Sequence, residues 1–143
     1  MENFTIRPMT IADYDAVIAL WSTSEGVGLS RTDSRESVAR YLERNPGLSL
    51  VACVNEVPGV LAGAVLCGHD GRRGFLHHLA VDPQFRKRGL GRSLVARCIE
   101  GLAAEGIDKC HLFVFNENNE GRSFWLRCGW YTRPELVTMS IDI

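Results

Sequence analysis

Residues 79–92 read Leu-Ala-Val-Asp-Pro-Gln-Phe-Arg-Lys-Arg-Gly-Leu-Gly-Arg. An apolar strand runs into a basic loop with two glycines, and that loop opens directly into an amphipathic helix. The free N–H groups and the dipole at a helix N-terminus form a ready anion site. Gly89 and Gly91 lack a Cβ, so the backbone there can approach a ligand closely. Arg86, Lys87, Arg88 and Arg92 surround the same point with positive charge. A pyrophosphate is the ligand moiety that suits this combination. The spacing is neither that of a Walker loop nor that of a Rossmann fingerprint. Glycines and arginines at a helix start also serve as simple caps and solvated charge. The strand–loop–helix context is what favours a binding role.

Periodicity sorts the rest of the chain. Residues 4–7 alternate apolar and polar and predict a strand. Thr10, with Asp13 three positions on, marks a helix start. Ile11, Tyr14, Val17, Ile18 and Trp21 then fall on one helical stripe. A loop rich in Ser, Gly and Thr covers 22–32. A second helix, over 34–44, stops before Asn45-Pro46-Gly47. The period then changes to two. Strands are predicted over 48–55 and 60–68 around Pro58-Gly59, and over 75–81 after a turn at 69–74. A helix over 90–104 ends at Gly106, a strand covers 109–115, a short helix 120–127, and a final strand lies near 137–143. The order β-α-α-β-β-β-α-β-α-β predicts an α/β (α+β) fold. It consists of a mixed, mostly antiparallel central sheet with helices on both faces, in a single domain over residues 1–143.

Composition excludes several function classes. With 45% hydrophobic and 23% charged residues the chain resembles ordinary globular proteins rather than disordered ones. No apolar run approaches the ~20 residues of a membrane span. The first residues lack the basic and apolar regions of a secretory signal, so a cytoplasmic location and no membrane partner are expected. A net charge of −1 argues against nucleic-acid binding by bulk electrostatics. The five cysteines, Cys53, Cys67, Cys98, Cys110 and Cys128, form no C-x-x-C pair. Neither a disulfide framework nor a metal site is expected, and reduced apolar thiols are.

The pattern Arg/Gln-x-x-Gly-x-Gly/Ala, following a strand that ends Leu-Ala-Val-x-Pro, resembles the signature of the GNAT superfamily of N-acetyltransferases. The resemblance implies a GNAT-like fold and acetyl-CoA as cosubstrate. It implies that Arg86, Lys87, Arg88, Gly89, Leu90, Gly91 and Arg92 form the loop around the CoA pyrophosphate. Leu79, Ala80 and Val81 would offer backbone groups to the pantetheine arm and the acetyl carbonyl. Asn118, Gly121 and the run 124–130 are similar to a second family segment, in which Asn118 matches an Asn that contacts the cofactor arm. The turn Asp70-Gly71-Arg72-Arg73-Gly74 is similar to one in the small bacterial YpeA-like branch. One position departs from the pattern: Trp125 stands where the family often has Tyr, the proposed acid for the leaving CoA thiolate. An indole N–H donates a hydrogen bond but is no acid near neutrality. A thiol of pKa about 8.5 leaves as thiolate at pH 7 for roughly 2 kcal/mol, so the loss is bearable. Trp125 and Trp130 serve equally well as packing against the sheet.

The implied reaction is acetyl transfer from acetyl-CoA to a primary amine, of a small molecule or of a protein N-terminus or lysine, by direct attack in a ternary complex. A lysine-like amine of pKa ~10.4 is almost wholly protonated at pH 7, so a proton acceptor is useful. His77 is the candidate base. It shares strand parity with Leu79 and Val81, which predicts that all three point to one face, and its place matches a His in arylalkylamine N-acetyltransferases. His77 and His78 are also compatible with a plain role as polar strand residues. Glu25, in the 22–32 loop expected to roof the acceptor site, is the alternative base. No motif identifies the acceptor. A CoA-binding sensor or regulatory module without catalysis, and a homodimer, are both compatible with these features.

Overall fold

The computed structural model describes residues 3–143. The chain separates into two compact units, one ending at Phe113 and one covering Val114–Ile143. The first unit holds strands β1 (Phe4–Pro8), β2 (Leu50–Val54), β3 (Leu61–His69), β4 (Gly74–Val81) and β5 (Cys110–His111), with helices α1 (Tyr14–Ser22), α2 (Arg35–Arg44) and α3 (Leu90–Ala104). The second unit holds α4 (Asn119–Arg127).

The sheet runs β1-β2-β3-β4-β5. The first three pairings are antiparallel and the β4–β5 pairing is parallel, so the sheet is mixed and mostly antiparallel. A parallel pair needs a crossover, which α3 supplies. Val17, Leu20 and Trp21 of α1 pack with Val51, Ala64, Leu66 and Ala80 on one face. On the other face Leu94 and Leu102 of α3 lie over Gly63 and Gly74, where a Cβ would come within 3.1 and 2.7 Å of their methyl carbons. Helices therefore cover both faces.

Local chemistry sets the helix starts. The Thr10 N–H donates to the Asp13 carboxylate at 2.9 Å, within a 3₁₀ turn that leads into α1. Arg7 holds the same carboxylate with two bonds of 2.8 and 2.7 Å, fixing the end of β1 to the start of α1. The Ser34 hydroxyl accepts from the Ser37 N–H and caps α2.

Three sequence expectations change. The strand expected over 109–115 pairs with β4 only at Cys110 and His111. The final strand expected near 137–143 does not form: Val137, Met139 and Ile141 are 85–90% exposed. Alternation supplies an apolar face, but a strand also needs a neighbour to take its hydrogen bonds, and none pairs with it among the described residues. The third change concerns strand parity. Leu66 pairs with His77 but Ala64 pairs with Ala80, so two steps along β3 match three along β4. This β-bulge contains His78 at φ +56°. A bulge inserts one residue and reverses which face the following side chains take. His77 therefore does not share a face with Val81. Its ring lies 6.3 Å from that of Tyr41 on α2, whereas Val81 lies with Leu94 of α3 around Gly63.

Candidate active site

The 79–92 segment folds as its sequence predicts. Asp82 accepts from the Gln84 N–H at 2.9 Å and starts a short 3₁₀ turn, Pro83–Phe85. Phe85 is buried and carries the Arg88 guanidinium 5.6 Å above its ring. Lys87 and Gly89 both take positive φ, +63° and +78°. These reversals turn the backbone so that α3 begins immediately at Leu90. A Cβ on Gly89 would have no neighbour within 4 Å, so that side of the loop is open. Arg86, Lys87, Arg88 and Arg92 are all exposed. Leu90 is buried and anchors the first turn of α3 to the core.

Next to this loop β4 has an open edge. β5 pairs only with Gly74 and Phe75, so from Leu76 onward no described strand bonds β4 on that side. Asp82 donates its N–H to Ala62 of β3 at 2.8 Å. Alternation along an antiparallel ladder then gives the Ala80 N–H to β3 and turns that of Val81 toward the open edge, while Leu79 lies in the bulge, where the alternation breaks. Consistent with this, the Val81 carbonyl accepts from Arg86 Nε at 3.1 Å. Of the three backbone positions named from sequence, Val81 thus presents its polar groups outward and Ala80 spends its own on the sheet.

On the α1–α2 face lies a cavity of about 810 Å³, within the size range of small-molecule sites. His77, His78 and Leu66 come from the sheet, Ser37, Arg40, Tyr41 and Arg44 from α2. The loop before α2 contributes Gly28, Ser30, Thr32 and Asp33. Glu25, from the same loop, is exposed and does not line the cavity. The His77 ring stacks on Phe75, 6.2 Å centre to centre and 6° from parallel. Burial pushes the His77 pKa below the ordinary histidine value, and the neighbouring His78 adds to that while Asp33 opposes it. His77 is therefore neutral near pH 7. His78 Nε2 lies 2.9 Å from a carboxylate oxygen of Asp33. The other carboxylate oxygen accepts from the Ser30 N–H at 2.9 Å, and Asp33 is only 5% exposed. Burial also raises the Tyr41 phenol, which stays protonated.

The second unit is built around α4. Asn118 accepts from the Gly121 N–H at 2.9 Å and caps that helix. Its side chain fills the space where a Cβ on Gly121 would come within 2.5–3.0 Å of its atoms. Trp125 contacts Phe124 and Trp130 edge to face, each at 5.1 Å.

The sequence profile described as the Acetyltransferase (GNAT) family matches residues 14–130. The chain belongs to the GNAT acetyltransferase family. An acetyltransferase of Pectobacterium atrosepticum is 40% identical over 116 residues, covering 80% of this chain and 78% of its own. One of Yersinia enterocolitica is 37% identical over 134 residues, with 92% and 91% covered. Among solved structures, Ard1 from Thermoplasma volcanium superposes with a TM-score of 0.75 at 20% identity, over 88% of this chain and 81% of that one. The PaiA N-acetyltransferase of Thermoplasma acidophilum, solved with coenzyme A, gives 0.72 at 20% identity, over 87% of each. These two likenesses show the fold. The enzyme is thus an acetyl-CoA-dependent acetyltransferase, and among its described residues no helix is long and apolar enough to cross a membrane.

Sequence reasoning missed several residues of this GNAT enzyme's cavity. Asp33 carries only a local signal: Ser30 lies three positions before it, the spacing of a reciprocal cap, which the structure forms. Nothing local marks its bond to His78. Tyr41, Arg40 and Arg44 read from sequence as ordinary residues of an amphipathic helix. The Cys98 thiol and burial push Cys67 up, and burial pushes Cys110 up to about 12, so neither is a thiolate at neutral pH.

Proposed function

We propose that the enzyme transfers acetyl from acetyl-CoA to a primary amine by direct attack in a ternary complex, with His77 taking the amine proton. The observation that carries this reading is the β4 bulge. It leaves His77 in the cavity on one face and Val81 on the other, beside the open strand edge where the Val81 carbonyl meets Arg86.

The cofactor residues follow from the same frame. The loop fits a pyrophosphate, because a helix N-terminus, two left-handed residues and four exposed cations converge where Gly89 leaves space. Arg86, Lys87, Arg88, Gly89, Leu90, Gly91 and Arg92 would hold it. The backbone of Leu79 and Val81 would hold the pantetheine arm, and the Asn118 amide would contact that arm while capping α4. Acetyl-CoA supplies the activated acetyl group. A donor N–H from β4 near the acetyl oxygen stabilises the charge that develops there.

On the acceptor side, neutral His77 can accept a proton directly or through one water. Phe75 and Tyr41 confine its ring. Trp125, which stands where the family often has Tyr, carries only an indole N–H, so this reading needs a leaving thiolate that requires little protonation. The reading of residues 1–143 as one catalytic domain rests on the family match, which runs from one compact unit into the other.

The test is twofold. Acetyl-CoA at about 100 times its Kd adds about 2.7 kcal/mol of stability, a rise in Tm of several degrees. Thiol detection across a panel of primary amines then reports transfer. A wild-type protein whose Tm ignores acetyl-CoA, or thiol release unchanged by any amine, would refute this reading.

A further inference from the structure

We propose that the acceptor is a small amine that also carries an acidic group, a carboxylate or a phosphate, gripped by Arg44 and Arg40 on the wall of the His77 cavity. This rests on reading that cavity as the acceptor site.

The wall is the α2 stripe Ser37, Arg40, Tyr41 and Arg44, spaced so that one helix face turns to the cavity. Tyr41 marks the depth of the proton acceptor, its ring 6.3 Å from His77. Arg44 starts three residues further along the helix, about 4.5 Å at 1.5 Å per residue. An amine placed at His77 therefore faces the same cavity as the helical turn that carries Arg44.

The two arginines are exposed and, among the described residues, have no counter-ion. Like charges at i and i+4 repel on a helix, yet neither Arg40 nor Arg44 has a carboxylate within 4.0 Å among the described residues. Arg40 has a single long contact, 3.4 Å to the Ser37 hydroxyl. Asp33, the buried carboxylate of the cavity, is already held by His78 and Ser30. Glu43 also lines the cavity but pairs with neither arginine. The rim is thus mixed in charge, and what it offers an acid is two guanidinium forks without a carboxylate partner rather than a net field. A guanidinium fork matches a carboxylate or phosphate with two parallel hydrogen bonds.

The backbone that carries Arg44 is fixed. Its neighbour Asn45 is 5% exposed. The Asn45 side chain accepts from the His69 N–H at 3.0 Å and donates to the Tyr41 carbonyl at 3.3 Å. Gly68 leaves the necessary room, since a Cβ there would lie 2.6 Å from both Asn45 and the Tyr41 hydroxyl. The end of α2 is thereby bolted to β3, so the backbone that carries Arg44 is anchored to the strand next to that of His77. A cation in the last turn of a helix is also favoured by the helix dipole. The test must therefore read substrate preference and not stability alone.

With the full-length protein and acetyl-CoA, thiol release would be followed for matched primary amines: an amino acid and its amide, and an amino alcohol and its phosphate ester. The acidic member of one pair is expected to have the higher kcat/KM by about 10-fold or more, the scale of one charge-assisted contact. The pair that shows the preference tells carboxylate from phosphate. Arg44→Gln and Arg40→Gln should raise KM for the acidic members and narrow that gap, and Arg44→Lys, which keeps charge but loses the fork, should fall between. Retention of the acetyl-CoA thermal shift reports that each variant is folded. Neutral amines used as well as their acidic partners, or a preference unmoved in folded arginine variants, overturns the proposal and leaves acetyl transfer standing. Turnover of no amine, in a protein that still binds acetyl-CoA, overturns the proposal together with the acceptor-site reading on which it rests.

Discussion

His78 Nε2 and Asp33 Oδ1 lie 2.9 Å apart across 45 residues of sequence, tying the bulge of β4 to the turn before α2. A bulge residue at φ +56° is uncommon for a side chain other than glycine, and such conformations persist where the surroundings hold them. The pair is expected to stabilise the fold and the cavity together. His78→Ala leaves a buried carboxylate short of a partner, a loss of about 1–3 kcal/mol or a Tm lower by roughly 3–12 °C. A double-mutant cycle with Asp33→Asn measures the coupling, which should exceed about 0.5 kcal/mol. Strictly additive losses would show that the contact contributes nothing of its own.

Gly89 is needed for its backbone as much as for its space. At φ +78° any side chain is strained, although no atom stands where a Cβ would go. Gly89→Ala is expected to cost about 1 kcal/mol, and Gly89→Val more, because branching at Cβ disfavours that conformation further. Both should remain folded, with the acetyl-CoA thermal shift reduced in the alanine variant and absent in the valine variant. Differential scanning fluorimetry with and without acetyl-CoA measures both effects, and a full shift in Gly89→Val removes this loop from the cofactor site.

His77 sets a pH dependence of known sign. Burial lowers its pKa, and only the neutral ring accepts a proton. The rate should rise with pH through an ionisation below the ordinary histidine value of ~6.5 and then level off. His77→Gln should erase that step and reduce turnover by about 10²–10⁴-fold, while acetyl-CoA binding is kept. An unchanged profile in the variant would leave the proton to solvent.

Acid stability depends on Asp13. The hydrogen bonds from Arg7 hold its carboxyl below the usual aspartate value, against the opposing effect of burial. A carboxylate whose folded pKa is depressed contributes stability that is fully present above its unfolded pKa and is lost as pH falls through the folded one. The wild type should therefore lose this contribution below about pH 4. Asp13→Asn should be less stable at pH 7 and show a flatter decline in acid. Since Arg7 is partly exposed, the effect should shrink in high salt. Urea titrations from pH 2.5 to 7 follow it, and parallel curves for the two proteins contradict it.

Much of the fold and of the basic loop before α3 is legible along the chain because the signals are local. The 3.6-residue spacing of Leu90, Leu94, Val95, Cys98, Ile99 and Leu102 gives a helix with the bounds observed, and all of these but Ile99, which is exposed at the edge of the stripe, are buried. The basic glycine loop before it needs only neighbouring residues to take shape. Capping at Thr10 and Ser34, and the stop at Asn45, are equally short in range. The acceptor side is not legible, because its residues meet only through the sheet. His77 and Val81 sit at even spacing and read as one face, and a single extra residue at the bulge separates them. Only the pairing of β4 with β3 decides that. Asp33 reads as a cap, and Tyr41 and Arg44 as surface helix, until the packing of α2 against β3 brings them beside His77. The strand expected near 137–143 fails for the same reason in reverse, since periodicity can propose an apolar face but only a neighbouring edge can complete its hydrogen bonds. The sequence by itself determined the helices and most strands, the basic glycine loop before α3 and the family. The tertiary structure decided which side chains share a cavity, because that depends on register and on contacts dozens of residues apart.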